Sequence, residues 1–205
     1  MTSSSRRPHP LILLGLLLST VLVGLGAQAT QREPAEVWCP SVLGVGVTSD
    51  VPYCDVQVQV DPDLAIRVVL PPRRGDATLS FNLHNRHTYS EQDEAGGRAY
   101  AQYLASVAVA SLEGEIVGRG VVLSEFRTAP DLVDRVSGGA GASGLRAVAP
   151  TGTARVRVTV PDDMEAVVIA GQSLEVVRTD GKDMVTGLGR PVAILSGVSV
   201  EYRPR

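Results

Sequence analysis

Two histidines and an acidic residue, which are side-chain types that bind metal ions, lie close together in the sequence. His84 and His87 are followed by Glu91 within eight residues. Two imidazoles and a carboxylate could supply three ligands to zinc or another divalent cation, and a metal-bound water could then hydrolyse a substrate. A metal-binding protein or metal-dependent hydrolase built on His84, His87 and Glu91 is therefore one hypothesis for the chain.

The spacing of the histidines favours a different interpretation of this segment. In a strand that continued from Leu83, side chains 84 and 87 would point to opposite faces, so a shared metal would require a turn between them. The spacing also matches no named zinc motif. We therefore expect a polar binding loop without a metal, since functional residues concentrate on loops held by a rigid scaffold. Its candidate binding residues are His84, Arg86, His87 and Tyr89.

Other catalytic patterns are weak or missing from the sequence. The chain contains no G-x-S-x-G motif, which marks the nucleophile of many hydrolases. The segment 139–144 matches G-x-G-x-x-G, but an apolar-periodic segment that resembles a helix precedes it, and an extended segment follows it. A phosphate-binding loop requires the opposite order, so we interpret the segment as a flexible loop and predict no cofactor. An enzyme is the less favoured interpretation.

The two cysteines of the chain are Cys39 and Cys54. An even number of cysteines in an exported chain predicts a disulfide, and two buried free thiols are the alternative. Closing a loop of about 15 residues would stabilise the fold by roughly 3 kcal/mol on the chain-entropy account. A Cys39–Cys54 disulfide would also leave no thiolate to act as a nucleophile.

The N-terminal segment has the three parts of a secretory signal peptide. Arg6 and Arg7 form a positive region, Leu11–Leu25 is apolar, and Ala27-Gln28-Ala29 fits the small-x-small cleavage pattern. The apolar run is shorter than the roughly 20 residues of a transmembrane helix. We therefore predict a signal peptide over residues 1–29 and a periplasmic or secreted chain over 30–205 with no transmembrane segment.

The charge of the chain excludes one class of partner. Without Arg6 and Arg7, 17 basic residues remain against 22 acidic ones, whereas proteins that bind nucleic acid usually carry a basic surface. The sequence therefore predicts no nucleic-acid partner. We expect an unidentified protein or envelope component instead.

The apolar residues follow the two-residue period of half-buried β-strands. Val56–Val60, Leu79–Leu83 and Arg155–Val160 alternate apolar and polar side chains. Less regular valine-rich segments are also predicted to be strands. They are Leu64–Leu70, Tyr103–Leu112, Ile116–Phe126, Ala166–Ala170, Leu174–Arg178 and Val192–Tyr202.

One short helix is predicted after the strand that ends near Phe126. Thr128 could cap it, Pro130 suits its first turn, and Asp131 complements the helix dipole. Leu132, Val133 and Val136 would then face inward. A second stretch, Ser90–Ala99, could hold a helical turn, but Gly96 and Gly97 break it.

Many short strands with turn residues between them predict an all-β fold. We expect residues 30–205 to form one antiparallel β-sandwich, of immunoglobulin-like or jelly-roll type, with a Cys39–Cys54 disulfide. The function predicted from the sequence is a non-catalytic interaction or structural module of the cell envelope or extracellular space, with the histidine-centred metal site as the alternative.

Overall fold

The structure is a computed structural model that describes residues 29–136 and 153–205 with their side chains, and residues 146–150 by their backbone. The predicted signal peptide, apart from Ala29, and the glycine-rich segment 139–144 lie outside the described residues.

Strands account for most of the described chain, and they are joined by one α-helix and two 3-10 turns. The helix α1 spans Glu91–Ala95, and the 3-10 turns span Pro62–Leu64 and Ala129–Asp131. The described strands are β1 Gln31–Pro34, β2 Glu36–Trp38, β3 Val42–Val45, β4 Pro52–Gln57, β5 Ile66–Val69, β6 Ala77–His84, β7 His87–Tyr89, β8 Ala101–Ala110, β9 Ile116–Phe126, β10 Leu132–Arg135, β11 Arg146–Pro150, β12 Ala154–Val160, β13 Ala166–Arg178, β14 Gly181–Val185 and β15 Pro191–Tyr202.

The strands form two large antiparallel sheets and one small one. Sheet A has the order β12-β6-β15-β4-β3, and β1 also pairs with β15. Sheet B has the order β2-β5-β13-β8-β9, and β14 also pairs with β13. Sheet C has the order β10-β11-β7. This arrangement confirms the predicted all-β, sandwich-like class.

The core lies between the inner faces of sheets A and B. Alternate side chains of each strand point inward, as the two-residue period predicts. In β12, Val156, Val158 and Val160 are buried, whereas Arg155 and Arg157 are exposed. Inward residues of both sheets belong to one hydrophobic cluster, whose largest fully buried members are Phe81, Phe126, Ile66, Leu79, Leu83 and Ile169.

The predicted helix after Thr128 is wrong. The Asp131 carboxylate accepts a hydrogen bond from the Thr128 N–H at 3.0 Å, but the helical geometry ends after a single 3-10 turn. Residues 132–135 then pair with β11, because strand pairing satisfies the backbone of this short segment better than an isolated short helix would. Within the described residues, the α-helix is instead the stretch after Ser90, whose side chain caps it by accepting from the Asp93 N–H.

The N-terminal segment crosses between the sheets and is fastened by the predicted disulfide. β1 pairs in sheet A, β2 in sheet B and β3 in sheet A again. Cys39 follows β2 and is bonded to Cys54 of β4, with 6.0 Å between their Cα atoms. The Cys39–Cys54 pairing is therefore confirmed. Over residues 29–136 and 153–205, no helix has the length and apolar character needed to cross a membrane.

Gly171 marks a point where the two sheets touch through their backbones. It forms an isolated parallel bridge with Val58, beside a register shift in β13. A Cβ at this position would lie 2.4 Å from Val192 Cγ2 and 2.9 Å from the carbonyl carbon and oxygen of Gln57. Since backbone atoms cannot move aside cheaply, only glycine fits here.

Gly171→Ala should therefore destabilise the protein by about 2 kcal/mol, as overpacking does in a well-filled core. Gly187→Ala is the matched control, because its nearest heavy atom would be Arg190 Cγ at 3.5 Å. That control should change the unfolding free energy by less than about 0.5 kcal/mol. Denaturant unfolding of both variants measures the difference, and equal stabilities would contradict the close contact.

Candidate functional site

The histidine segment forms a two-residue connection between two sheets. β6 ends at His84 in sheet A, and β7 begins at His87 in sheet C. Asn85 and Arg86 make the turn between them. The Asn85 side chain is fully buried, and its Nδ2 donates to Ser124 Oγ at 2.9 Å. The connection is therefore anchored to β9 rather than free in solvent.

His84 is held inside the protein by two hydroxyl groups. Its Nε2 hydrogen bonds with Ser196 Oγ at 2.8 Å, and its Nδ1 with Thr153 Oγ1 at 3.0 Å. The edge of the ring meets Tyr53, with 5.6 Å between the ring centroids. Burial lowers the pKa of His84 from 6.5 to about 4, so the ring is neutral at pH 7.

His87, the first residue of β7, lies against sheet B in an environment separate from that of His84. Its ring stacks on Phe126 at a centroid distance of 3.8 Å, and its Nδ1 hydrogen bonds with the Tyr103 hydroxyl. Burial lowers the pKa of His87 to about 4 and raises the pKa of Tyr103 to about 12. Both groups are therefore uncharged at pH 7.

The third member of the hypothetical metal set lies apart from both rings. Glu91 is exposed in the first turn of α1. The two histidine rings contact different residues, because β6 ends at His84 and His87 begins a strand of another sheet. In the described part of the chain, no three or more histidine, cysteine, aspartate or glutamate side chains are grouped so that they could hold a metal ion.

Tyr89 supports the fold around the loop. Its ring meets the Phe126 ring edge-on at 6.0 Å, and its hydroxyl donates to Glu94 Oε2 at 2.6 Å. The Glu94 carboxylate also accepts from the Ala129 N–H at 3.0 Å. Hydrogen bonding to Glu94 raises the pKa of Tyr89, so its hydroxyl remains a donor.

Arg86 alone among the predicted binding residues presents a charge at the surface. Its Nη1 lies 3.2 Å from Oδ2 of Asp55, which is itself buried in β4. Burial raises the pKa of Asp55, and Arg86 partly counters this effect. The guanidinium retains about a third of its exposure and lies at the edge of a cleft.

This cleft, which we call the arginine cleft, is lined by residues of β7, α1, β8, β13, β14 and the start of β15. Its volume is about 470 Å³, within the range of small-ligand sites. Its floor is formed by inward-facing residues of sheet B with His87, and its sides carry four arginines. The floor residues are His87, Ala101, Tyr103, Leu174 and Val176; the arginines are Arg86, Arg98, Arg178 and Arg190.

The four arginines differ in how strongly they are engaged. Arg98 pairs with Asp93 at 3.1 Å, and Arg178 pairs with Asp183 and Asp180. These pairs are exposed, and exposed ion pairs contribute only about 0–1 kcal/mol each. Arg190 belongs to none of the ion pairs formed within the described residues. Aspartates therefore balance the charges of Arg86, Arg98 and Arg178 within the cleft and at its edge.

The structure places two of the predicted binding residues at this cleft and two elsewhere. Of the four predicted binding residues, Arg86 and His87 line it, whereas His84 and Tyr89 contact other described parts of the chain. Sequence reasoning missed Arg98, Arg178 and Arg190, which belong to separate segments of the chain: Arg178 ends β13, and the other two lie in loops. The turn at Asp180 and Gly181 was a usable signal, because a hairpin there brings the ends of β13 and β14 together.

Ser196 and His84 form a hydroxyl–imidazole contact, the combination that two members of a Ser–His–Asp catalytic triad also make. Ser196 is only 5% exposed, and His84 is 3% exposed. The group beyond His84 is the Thr153 hydroxyl in place of a carboxylate, so nothing raises the basicity of the ring. The contact joins β6 to β15 and serves packing.

Comparisons with known proteins give no family for the chain. No protein family model matches it, and no curated protein matches it. Among solved structures, it is similar to the VP2 subviral particle of infectious bursal disease virus, at 13% sequence identity and a TM-score of 0.29. The match covers 96% of this chain, which spans 37% of the length of the VP2 chain.

Proposed function

We propose that this protein is an exported interaction module of the cell envelope or extracellular space, without catalytic chemistry of its own. The observation that carries the proposal is the placement of the histidine segment. Both rings are buried, neutral and bonded to hydroxyl groups, so the residues best suited to chemistry serve the fold. What the surrounding surface offers a partner is a cleft with arginine side chains.

The proposal includes export, one domain and a finer fold type. A signal peptide over residues 1–29 would take the chain across a membrane, and the Cys39–Cys54 disulfide supports an oxidising compartment, periplasmic or extracellular. We place residues 30–205 in one β-sandwich domain of immunoglobulin-like or jelly-roll type. The core shared by sheets A and B supports a single domain.

Three measurements on the exported, oxidised protein, expressed from the full chain without a histidine tag, test this function. Elemental analysis beside a His84→Gln/His87→Gln double variant should find no stoichiometric metal in either protein. A chelator should leave the thermal midpoint of both proteins unchanged. Selection from a random peptide library on the immobilised protein should enrich peptides that share a motif.

The opposite results identify the alternative. About one equivalent of metal in the wild type, absent from the double variant and removed by chelator with a loss of stability, would establish the metal-binding or hydrolase hypothesis. A library that yields no shared motif would remove the support for an interaction module.

A further inference from the structure

The face of sheet B that points away from the core carries adjoining apolar side chains. Leu104 of β8 and Leu123 of β9 stand directly opposite each other on this face and are 41% and 58% exposed. Val121 is the next outward residue of β9 and is 55% exposed. Adjoining exposed apolar residues, unlike single ones, mark a surface that contacts a partner. We call the outward side chains of β9, β8, β13 and β14 the outer B face.

The edge strand of sheet A shows the contrast. In β12, exposed Arg155 and Arg157 alternate with buried valines, as expected for a sheet with one solvated face. In β9 this alternation fails at the centre of the strand, because buried Val122 lies between exposed Val121 and Leu123. Sheet B therefore has apolar side chains on both faces at this point, and the described residues leave the outward ones exposed.

The outward side chains of β9 follow one another in a self-complementary order. Along the strand they are Arg119, Val121, Leu123 and Glu125. When a second β9 is laid antiparallel over the first, with Val122 at the centre, Arg119 meets Glu125 of the second copy. Val121 then meets Leu123 of the second copy. A two-fold axis repeats each contact, so one arrangement makes two ion pairs and two apolar contacts.

We infer that the outer B face joins two copies of this chain face to face, with their β9 strands antiparallel. Two sheets that pack through their faces keep their strands roughly aligned, so this orientation suits sheet packing. The inference goes beyond the proposed function, because self-association through sheet B is separate from the binding of any other partner.

The outward side chains of β8 also fit this arrangement. Gln102, Leu104, Ser106 and Ala108 stand opposite Glu125, Leu123, Val121 and Arg119 of β9, in that order. In the antiparallel pair, Leu104 therefore lies over Ser106 of the second copy, and Gln102 lies over Ala108 of the second copy. Large side chains meet small ones, which lets two sheet faces interdigitate at a spacing of about 10 Å.

The contacts already present leave both charged groups able to pair. Arg119 belongs to none of the ion pairs formed within the described residues. The Glu125 carboxylate lies 3.0 Å from the Arg127 guanidinium and accepts from Gln102 at 3.2 Å. Since an ionised carboxylate has about four acceptor sites, it can accept from a further guanidinium without losing these partners.

The size and charge of the outer B face suit a reversible dimer. Four strands about 4.8 Å apart and four rows of outward side chains about 7 Å apart span about 20 Å in each direction. A face of this size lies at the small end of specific interfaces, so we expect a dissociation constant in the micromolar range. Its charges nearly balance, so two copies do not repel each other. They are Arg119, Arg127, Lys182, Glu125 and Glu175.

Charge reversal tests the antiparallel arrangement. Sedimentation equilibrium of the exported, oxidised protein between about 1 and 200 µM should show dimers of the wild type, as the micromolar expectation requires. Arg119→Glu and Glu125→Arg should each weaken association at least about tenfold, because two like-charge contacts replace two ion pairs. An equimolar mixture of the two variants should recover an affinity within about threefold of the wild type, since every contact then joins opposite charges. The double variant Arg119→Glu/Glu125→Arg should recover it as well.

Substitution of the apolar residues tests the face itself. Leu104→Ser/Leu123→Ser should weaken association at least about tenfold, because the centre of the contact loses its apolar area. Val42→Ser/Val47→Ser is the control, since these valines are 73% and 65% exposed and belong to β3 and the turn after it. It should change the affinity less than about twofold. Circular dichroism and the thermal midpoint show whether each variant is folded.

Four results would overturn the inference. They are a wild type that is monomeric at every concentration, dimers that Leu104→Ser/Leu123→Ser leaves unchanged, a mixture of the two charge variants that associates no better than each alone, and a monomeric wild type whose binding to phosphatidylcholine vesicles is abolished by Leu104→Ser/Leu123→Ser. The last result would assign the outer B face to a lipid surface. The metal analysis and the peptide library test the proposed function separately, so the two failures are distinguishable.

Discussion

Lowering the pH from 7 to 4 should remove several kcal/mol of the free energy of unfolding through His84 and His87. In the folded protein burial lowers both pKa values from 6.5 to about 4. One pKa unit corresponds to about 1.4 kcal/mol, so each neutral ring contributes roughly 3 kcal/mol at pH 7. The combined loss is large beside the total stability of an ordinary domain, about 5–15 kcal/mol.

The direction in which the free energy of unfolding changes with pH depends on whether the folded or the unfolded state binds more protons. Between pH 6.5 and 4 the unfolded chain holds protons on both imidazoles, whereas the folded protein does not. The contribution of the two histidines to the free energy of unfolding is therefore fully present above pH 6.5 and is lost as the pH falls towards 4. Asp55 acts in the opposite direction, because burial raises its pKa and the folded state then gains a proton first. One carboxyl group reduces the effect of two histidines but does not cancel it.

Guanidinium unfolding at several pH values measures this dependence. Near pH 5 the slope of the unfolding free energy should approach about 2.7 kcal/mol per pH unit, the value for two protons taken up on unfolding. The His84→Gln/His87→Gln variant should lose most of this slope, even if it is less stable at every pH. A flat profile in the wild type, or the same slope in the variant, would show that the rings are accessible and protonated in the folded state.

Strands with only one buried face were predictable from the sequence. In β9 the buried residues Val122 and Phe126 alternate with exposed Val121 and Leu123, and the predicted bounds agree with the strand. The sequence divided β13 into two segments because Gly171 and its neighbour interrupt the apolar pattern, although a register shift carries the strand through this point. Local pattern therefore identifies strands but not the irregularities within them.

The short strands and the cleft depend on contacts that the sequence pattern does not contain. β1 is polar and is a strand because residues 31–34 pair with residues 199–202 of β15. β10 looked helical because Thr128, Pro130 and Asp131 suit a helix start, and only pairing with β11 decides otherwise. The arginines of the cleft are likewise brought together by tertiary structure, so a window of neighbouring residues could show only Arg86 and His87.

Replacing both cysteines in a Cys39→Ala/Cys54→Ala variant should lower the free energy of unfolding by roughly 3 kcal/mol. The bond closes a loop of 15 residues, and on the chain-entropy account a loop of that length gives about this stabilisation. In the folded protein it also joins the end of β2 in sheet B to β4 in sheet A. Without it, β1 to β3 remain attached only by short pairings.

Guanidinium unfolding of the oxidised wild type, the reduced wild type and the double variant separates the contributions. The two forms without the bond should agree within about 1 kcal/mol, since both lose the same constraint on the unfolded chain. Hydrogen exchange should show the largest increase in residues 31–45, because segments held by few contacts open first. Equal stability of all three forms would mean that strand pairing alone holds β1 to β3 in place. The disulfide would then no longer support the proposal that the protein is exported.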